Sequence, residues 1–240
     1  MSKYWENRVL YSWGSYEEMW KLRYGLQDYM LKEFEFDKFR GKKVLEIGCG
    51  GGIDSIEFAK HGAIVIATDL TNEAIRVTSE LAKKLDIPLT TRRVDVCHLP
   101  FLDNSIDHIH CFGVLHHIPN VEKAISEMYR VLKENGTCYA MLYHKDSILY
   151  NYSILFLRGI QQNYFTSYSE QEILNKFSEA KDGCPYTKVY TKKEAEILFN
   201  TFRIVNTSIH YNVYDTLTKR KVKFLGPKHL GWHLVVKVIK

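Results

Sequence analysis

The sequence predicts a doubly wound, mostly parallel α/β sheet with helices on both faces, and three observations carry that reading. Between Lys43 and Leu142, short apolar runs alternate with segments whose apolar residues recur every three or four positions. A glycine-rich turn, Gly48-Cys49-Gly50-Gly51-Gly52, follows the first apolar run, where an open parallel sheet receives ligands. The chain has 240 residues, 45% hydrophobic and 25% charged, enough for one large core in an ordinary globular composition.

The elements follow in order. Before Gly41 the chain is aromatic and helical in pattern. Ser15-Tyr16-Glu17-Glu18 fits a capping box, and Met19, Leu22, Leu26 and Met30 then recur at helical spacing. Lys43 to Ile47 reads as a buried strand, Ile53 to His61 as a helix stopped near Gly62, and Ile64 to Thr68 as a second strand. Thr71 caps a helix with Ala74, Val77, Leu81 and Leu85 on one face. Leu89 to Val94 and Ile106 to Val114 are the third and fourth strands. Val121 to Leu132 is a helix with Ala124, Ile125, Met128 and Leu132 inward, and Asn135-Gly136 is a turn before a fifth strand, Thr137 to Leu142. Asp146 to Pro185 is apolar and aromatic without the βα rhythm, and reads as a cap over a pocket in preference to a membrane-surface amphipath. Thr191 to Glu194 is a second capping box, opening a helix with Ala195, Leu198 and Phe199, and Arg203 to Tyr211 and His233 to Ile239 are closing strands.

Composition narrows the function classes. No stretch approaches the roughly 20 apolar residues of a membrane span, and the N-terminus lacks the apolar core of a signal peptide, so a cytoplasmic protein is expected. Cys49, Cys97, Cys111, Cys138 and Cys184 are scattered, odd in number and without a C-x-x-C pair, which predicts neither a disulfide framework nor a metal site. The net charge of +5 and pI of about 8.8 fall short of a dedicated nucleic-acid binder. From Thr216 to Lys240 there are seven basic residues, Lys219, Arg220 and Lys221 among them, and no acidic one. Such a stretch is either a solvated surface or an attractor of an anionic molecule.

The chemistry-bearing residues sit at strand ends. Glu46 precedes the glycine turn, where a carboxylate repels a pyrophosphate and suits an ammonium group. Ile53 holds the third-glycine position at which a dinucleotide site wants Gly or Ala. Asp69 ends the second strand about 20 residues after the turn, the spacing of a ribose-binding acid, or else a favourable acid at a helix N-terminus. Asp95 ends the third strand and offers an acceptor for an adenine amino group.

Together these motifs, with Asp95-Val96-Cys97-His98-Leu99-Pro100-Phe101 and Gly113-Val114-Leu115-His116-His117-Ile118, resemble the class I S-adenosylmethionine-dependent methyltransferases of the type 11-like group. The resemblance covers Lys43 to Leu142 well and extends less specifically to Tyr143-His144, Tyr190-Thr191 and Gly231 to Leu234. It implies a Rossmann-like seven-stranded sheet with an antiparallel last strand. The chain would then divide into an N-terminal helical cap (1–40), a cofactor-binding core (41–145), a lid and acceptor region (146–190) and a closing helix and strands (191–240). It implies S-adenosylmethionine as cofactor, with Glu46, Gly48 and Gly50 at the methionine portion, Asp69 at the ribose and Asp95 at the adenine; Leu70, Val96 and Gly113 join the same site. For the acceptor, His116, His117, Tyr143 and His144 follow the fourth and fifth strands, where each is either a proton acceptor or part of the architecture. Tyr11, Trp13, Arg23 and Tyr24 either reach the cofactor or pack on the sheet, and His108 and His110 read as packed or hydrogen-bonded.

The expected reaction is O-methylation of a small-molecule or peptide acceptor, its specific form an anionic carboxylate in a biosynthetic or tailoring pathway. N- or C-methylation and a silent cofactor-binding subunit are the alternatives. Glu46 and Ile53 speak against a nicotinamide oxidoreductase. No N-P-P-Y tetrapeptide follows the fourth strand, which speaks against nucleic-acid bases as acceptors.

Overall fold

The computed structural model describes residues 2–7, 9, 14–179, 183–211 and 230–240. Its centre is one mixed sheet. The strands are β1 (Lys43–Ile47), β2 (Ile64–Asp69), β3 (Thr90–Arg93), β4 (Ile106–Phe112), β5 (Leu132–His144), β6 (Val189–Tyr190), β7 (Arg203–His210) and β8 (His233–Ile239). They lie in the order β3-β2-β1-β4-β5-β8-β7. Strands β1 to β5 pair in parallel, and β8 inserts antiparallel between β5 and β7. The predicted seven strands form this path; β6 is an eighth, pairing only with the last two residues of β5. The order reverses between β1 and β4, which opens a crevice at the carboxyl ends of those strands.

Alternation along the buried strands builds a core on each face. Leu45 points to one and Val44 to the other; in β8, Leu234, Val236 and Val238 face the first and Val235 the second. The first face is covered by helices α6 (Val121–Val131) and α8 (Lys192–Leu198), which contribute Ala124, Ile125, Met128 and Ala195. The second face is closed by helix α4 (Ile53–Lys60) and the N-terminal segment, through Tyr24, Met30, Phe34, Phe36 and Phe58. Full burial of each such side chain is worth about 1.5–3 kcal/mol.

The N-terminal helix is broken where the spacing predicts continuity. The capping box of Ser15 and Glu18 opens α2 (Tyr16–Trp20), a π-helical turn follows at Lys21–Gly25, and α3 spans Tyr29–Phe34. The wider turn brings Tyr24 inward and leaves Leu26 46% exposed. Helix α5 (Asn72–Lys84) is capped by Thr71 as expected, but Ala74, Thr78 and Ala82 bury most deeply, with Val77, Leu81 and Leu85 half-buried beside them. Strand β3 is shorter than predicted and largely exposed, as an edge strand with Arg92 and Arg93 should be. The Asn135-Gly136 pair is a register shift within β5, with Asn135 left-handed at φ 62°, because the strand is continuous from Leu132.

The insertion after β5 has regular structure that sequence rhythm missed. A π-helix runs Leu149–Gln161 and α7 spans Glu170–Phe177 behind a capping box of Ser169 and Glu172. Tyr150, Ile154, Ile173 and Leu174 pack with Val189 and Trp232 into a third, smaller core. At the other terminus α1 (Ser2–Glu6) leans on α5: the Glu6 carboxylate accepts from the Asn72 and Glu73 amides at 3.1–3.3 Å, where a helix N-terminus favours an anion.

Candidate active site

A cavity of about 620 Å³ occupies the crevice at the carboxyl ends of β1, β2 and β4. One end is the glycine turn. Gly48 and Cys49 donate to the Thr68 carbonyl at 2.8 and 2.9 Å, folding the turn back over β2, and Thr68 Oγ1 donates to the Glu46 carbonyl at 2.6 Å. Gly48 has φ 79°, and a Cβ there would lie 2.2 Å from Val114, so only glycine lets the backbone form this wall. Asp69 stands beside the turn. Its Oδ1 accepts from the Thr71 amide and hydroxyl at 2.9 and 2.8 Å, and its Oδ2 accepts a longer bond, 3.2 Å, from the Gly50 amide. Leu70, Val96 and Gly113 also line the cavity. Asp95 is at the rim, its side chain 51% exposed, with one oxygen accepting from the Cys97 amide at 2.9 Å.

Beneath the turn lies a buried charged cluster. Asp54 accepts from Arg23 Nε at 3.0 Å and Nη2 at 2.5 Å, from the Tyr24 hydroxyl at 2.6 Å, and from His110 Nε2 at 3.2 Å. Burial alone would raise the Asp54 pKa, but the Arg23 guanidinium and the His110 hydrogen bond outweigh it and hold the carboxyl well below its ordinary range. Glu46 behaves oppositely. Burial, and then the nearby Asp54 charge, push its pKa well above the ordinary carboxylate value; the hydrogen bond from Ser55 opposes this incompletely.

The far end is built from β4, β5 and the insertion. His117 Nδ1 lies 3.0 Å from the Tyr186 carbonyl and 3.4 Å from Cys184 Sγ, and its Nε2 lies 3.4 Å from Glu179 Oε1. Burial disfavours the imidazolium, yet the hydrogen bonds with Cys184 and Glu179 outweigh it and push the His117 pKa up to about 9. Tyr143 donates its hydroxyl to Glu179, and its ring stacks between His116 at 3.6 Å and Trp232 at 4.3 Å. The Trp5 ring meets His117 at 4.8 Å and lines the cavity too.

Of the four acceptor candidates, the cavity therefore brings together His117 and Tyr143. His116 is fully buried behind Tyr143, and His144 is buried with Nδ1 3.0 Å from the Gly231 carbonyl; neither forms part of the wall. Arg23 reaches the wall, Tyr24 supports it through Asp54, and Tyr11, Trp13 and the run 219–221 lie outside the described residues. His108 is packed on Phe39 and bonded to Thr137, as the alternating pattern predicts. Sequence reading missed Asp54 and Glu179. The signal for Asp54 was its place one residue past Ile53 in the turn-to-helix junction, whereas Glu179 carries no local signal.

The sequence pattern of the methyltransferase domain family matches residues 45–140, the strands and turns that build this cavity. By this match, residues 45–140 form a methyltransferase domain. A ubiquinone biosynthesis O-methyltransferase from Coxiella burnetii is 30% identical over 116 residues, 48% of this chain and 50% of that one. The chain thus spans about half the length of the curated relatives it matches. The fold of the whole chain is shared with the PH0226 protein from Pyrococcus horikoshii OT3, at TM-score 0.65 and 20% identity, covering 100% of this chain and 99% of that one. It is shared equally with the magnesium protoporphyrin IX methyltransferase ChlM from Synechocystis PCC 6803, at TM-score 0.65 and 15% identity, covering 100% and 97%. Among the described residues no helix is long and apolar enough to cross a membrane.

Proposed function

We propose that this methyltransferase transfers the methyl group of S-adenosylmethionine to an oxygen of a small-molecule acceptor, and that the oxygen is a hydroxyl. The observation that carries the reading is the continuity of one cavity from the glycine turn to His117, Tyr143 and Glu179. Its size suits a nucleoside cofactor and a small acceptor together. In this reading Glu46 receives the cofactor's ammonium, the Gly48–Gly50 backbone lies along its methionine portion, Asp69 Oδ2 accepts from the ribose, and Asp95 accepts from the adenine amino group between Leu70 and Val96. The sulfonium methyl then faces the far end, where His117, Tyr143 and Glu179 hold the acceptor. Transfer is an in-line displacement, for which positioning supplies roughly 7–11 kcal/mol.

The name of the Coxiella burnetii relative favours oxygen. The wall itself favours a hydroxyl over the anionic carboxylate expected from the basic C-terminal stretch. Carboxylates of Glu46, Asp54, Asp69, Asp95 and Glu179 line it, and its one described lysine or arginine, Arg23, is engaged by Asp54. Of that basic stretch, Lys237 pairs with Glu33 and Glu35, and Lys240 with Asn104 and the Leu132 carbonyl, away from the cavity. Glu179 also brings the acid-bearing end of the insertion onto the cavity, which supports the lid role of residues 146–190.

Calorimetry tests the cofactor half. Asp69→Ala removes a charge-assisted acceptor and should weaken S-adenosylmethionine binding about ten- to hundred-fold, in line with the 1.5–3 kcal/mol of such bonds; unchanged affinity in the folded variant removes Asp69 from the ribose site. Isotopically labelled methyl transfer to hydroxylated aromatic and aliphatic compounds tests the acceptor half. An alkali-stable O-methyl resonance supports a hydroxyl, whereas an alkali-labile ester or an N- or C-methyl product overturns it.

A further inference from the structure

His116, His117 and Glu179 each offer one ligand atom, and these atoms lie within 4.8 Å of one another where the cavity meets the insertion. His116 is fully buried, and neither ring nitrogen makes a hydrogen bond of ordinary geometry among the described residues. A buried neutral imidazole with no partner is a lone pair awaiting one.

The arrangement of the other two matches. With Nδ1 of His117 donating to the Tyr186 carbonyl, Nε2 faces Glu179, and a metal ion that displaces its proton would take the lone pair there. A backbone carbonyl on the far nitrogen is the usual way a metal-binding imidazole is oriented. The 3.4 Å between Nε2 and Oε1 is long for a charge-assisted hydrogen bond, whose usual length is about 2.7–2.9 Å. It matches two ligands of one tetrahedral ion, each about 2.0–2.1 Å from it and therefore roughly 3.3 Å apart. Tyr143 fixes the group from outside, donating to Glu179 and stacking on His116.

We propose that His116, His117 and Glu179 bind one divalent transition-metal cation of the zinc type, with a remaining coordination position open to the cavity. Two imidazole nitrogens and one carboxylate oxygen suit zinc or cobalt; magnesium and calcium demand more oxygen ligands than these residues offer. The other histidine–carboxylate group, Glu46, Asp54 and His110, is the poorer candidate, because the Arg23 guanidinium already supplies its cation, whereas Glu179 is met by the Tyr143 hydroxyl and His117. If the cavity takes the acceptor as proposed above, the open position would hold its oxygen and favour the deprotonated form. The binding site itself rests on geometry and not on that reading.

The test uses the full chain, stripped with a chelator and titrated with cobalt(II) alone. Visible absorption bands of four- or five-coordinate cobalt should saturate at one ion per chain and vanish on adding zinc. Glu179→Gln and His116→Gln should each weaken cobalt binding at least tenfold, while exposed His98→Gln leaves it unchanged. Glu179 is partly exposed, so its variant decides the matter where His116→Gln fails to fold. Absence of cobalt bands, or equal affinity in Glu179→Gln and the parent chain, overturns the site. S-adenosylmethionine affinity measured on the same samples reports separately on the cofactor half, so a failed metal site and a failed methyl-transfer reading give different results.

Discussion

Two histidine–carboxylate clusters face one cavity, and their hydrogen bonding differs sharply. At Asp54 the carboxylate accepts four hydrogen bonds, from Arg23 twice, Tyr24 and His110. Around His116 both ring nitrogens are unsatisfied, and Glu179 meets His117 only at 3.4 Å. The first cluster leaves open only His110 Nδ1, on the side away from Asp54, whereas His116 leaves both ring nitrogens open among the described residues, and such open buried groups are where a ligand can be taken. The contrast fits a first cluster that holds the N-terminal segment against the sheet and supports the metal role proposed for the second.

The largest effect should come from breaking the saturated cluster. Asp54→Ala leaves Arg23, Tyr24 and His110 buried without their acceptor, and should lower stability by about 3–5 kcal/mol. Thermal and urea unfolding measure this, and a loss below about 1 kcal/mol would show that water replaces the carboxylate and that the contrast is not structural. An intermediate effect belongs to Glu46, which stands between the two roles. Its pKa is raised by burial and by Asp54, with Asp69 adding and Arg23 opposing, so the free protein retains a proton there above the ordinary carboxylate range. A bound ammonium lowers that pKa. Cofactor binding should therefore release a proton, and affinity should climb as pH rises through the raised Glu46 pKa. Calorimetry in two buffers of different ionisation enthalpy reads the release directly. Glu46→Gln should abolish it and weaken binding about tenfold or more; release persisting in that variant would assign it elsewhere. The smallest effect on stability should come from the unsaturated cluster. Glu179 is partly exposed and makes few bonds, so Glu179→Gln should change stability by less than about 1 kcal/mol. Its kcat/KM for methyl transfer should nevertheless fall at least tenfold. A variant that unfolds easily but retains turnover would invert the comparison.

The glycine-turn end of the cavity was legible in the sequence because its lining residues stand at fixed positions at strand ends. Glu46, Gly48, Asp69 and Asp95 are placed by β1, β2 and the segment after β3, and each short strand aims its end at the same crevice. The far end of the cavity was not legible for the opposite reason. Glu179 and Cys184 reach His117 from an insertion some sixty residues later in the chain, and only tertiary packing brings them together. Among the four candidates after β4 and β5, stacking decides which reach the cavity: Tyr143 interposes its ring, so His116 lies behind the wall and His117 in it. The N-terminal helix failed for a local reason, since a π-helical turn at Lys21–Gly25 moves the inward position from Leu22 and Leu26 to Tyr24.

The place of β8 also shapes how the chain reaches this fold. Pairing β1 with β2 closes a loop of about twenty residues, whereas pairing β5 with β8 joins segments about a hundred residues apart and places the later strand inside the sheet, not at its edge. The first half of the sheet is assembled from near neighbours; the second waits for a distant strand to slot between β5 and β7. Until it does, Cys138 to Leu142 carry an open backbone edge, a template for mispairing between chains. Once it has, the same amides are flanked on both sides and should be among the slowest in the molecule to exchange with solvent.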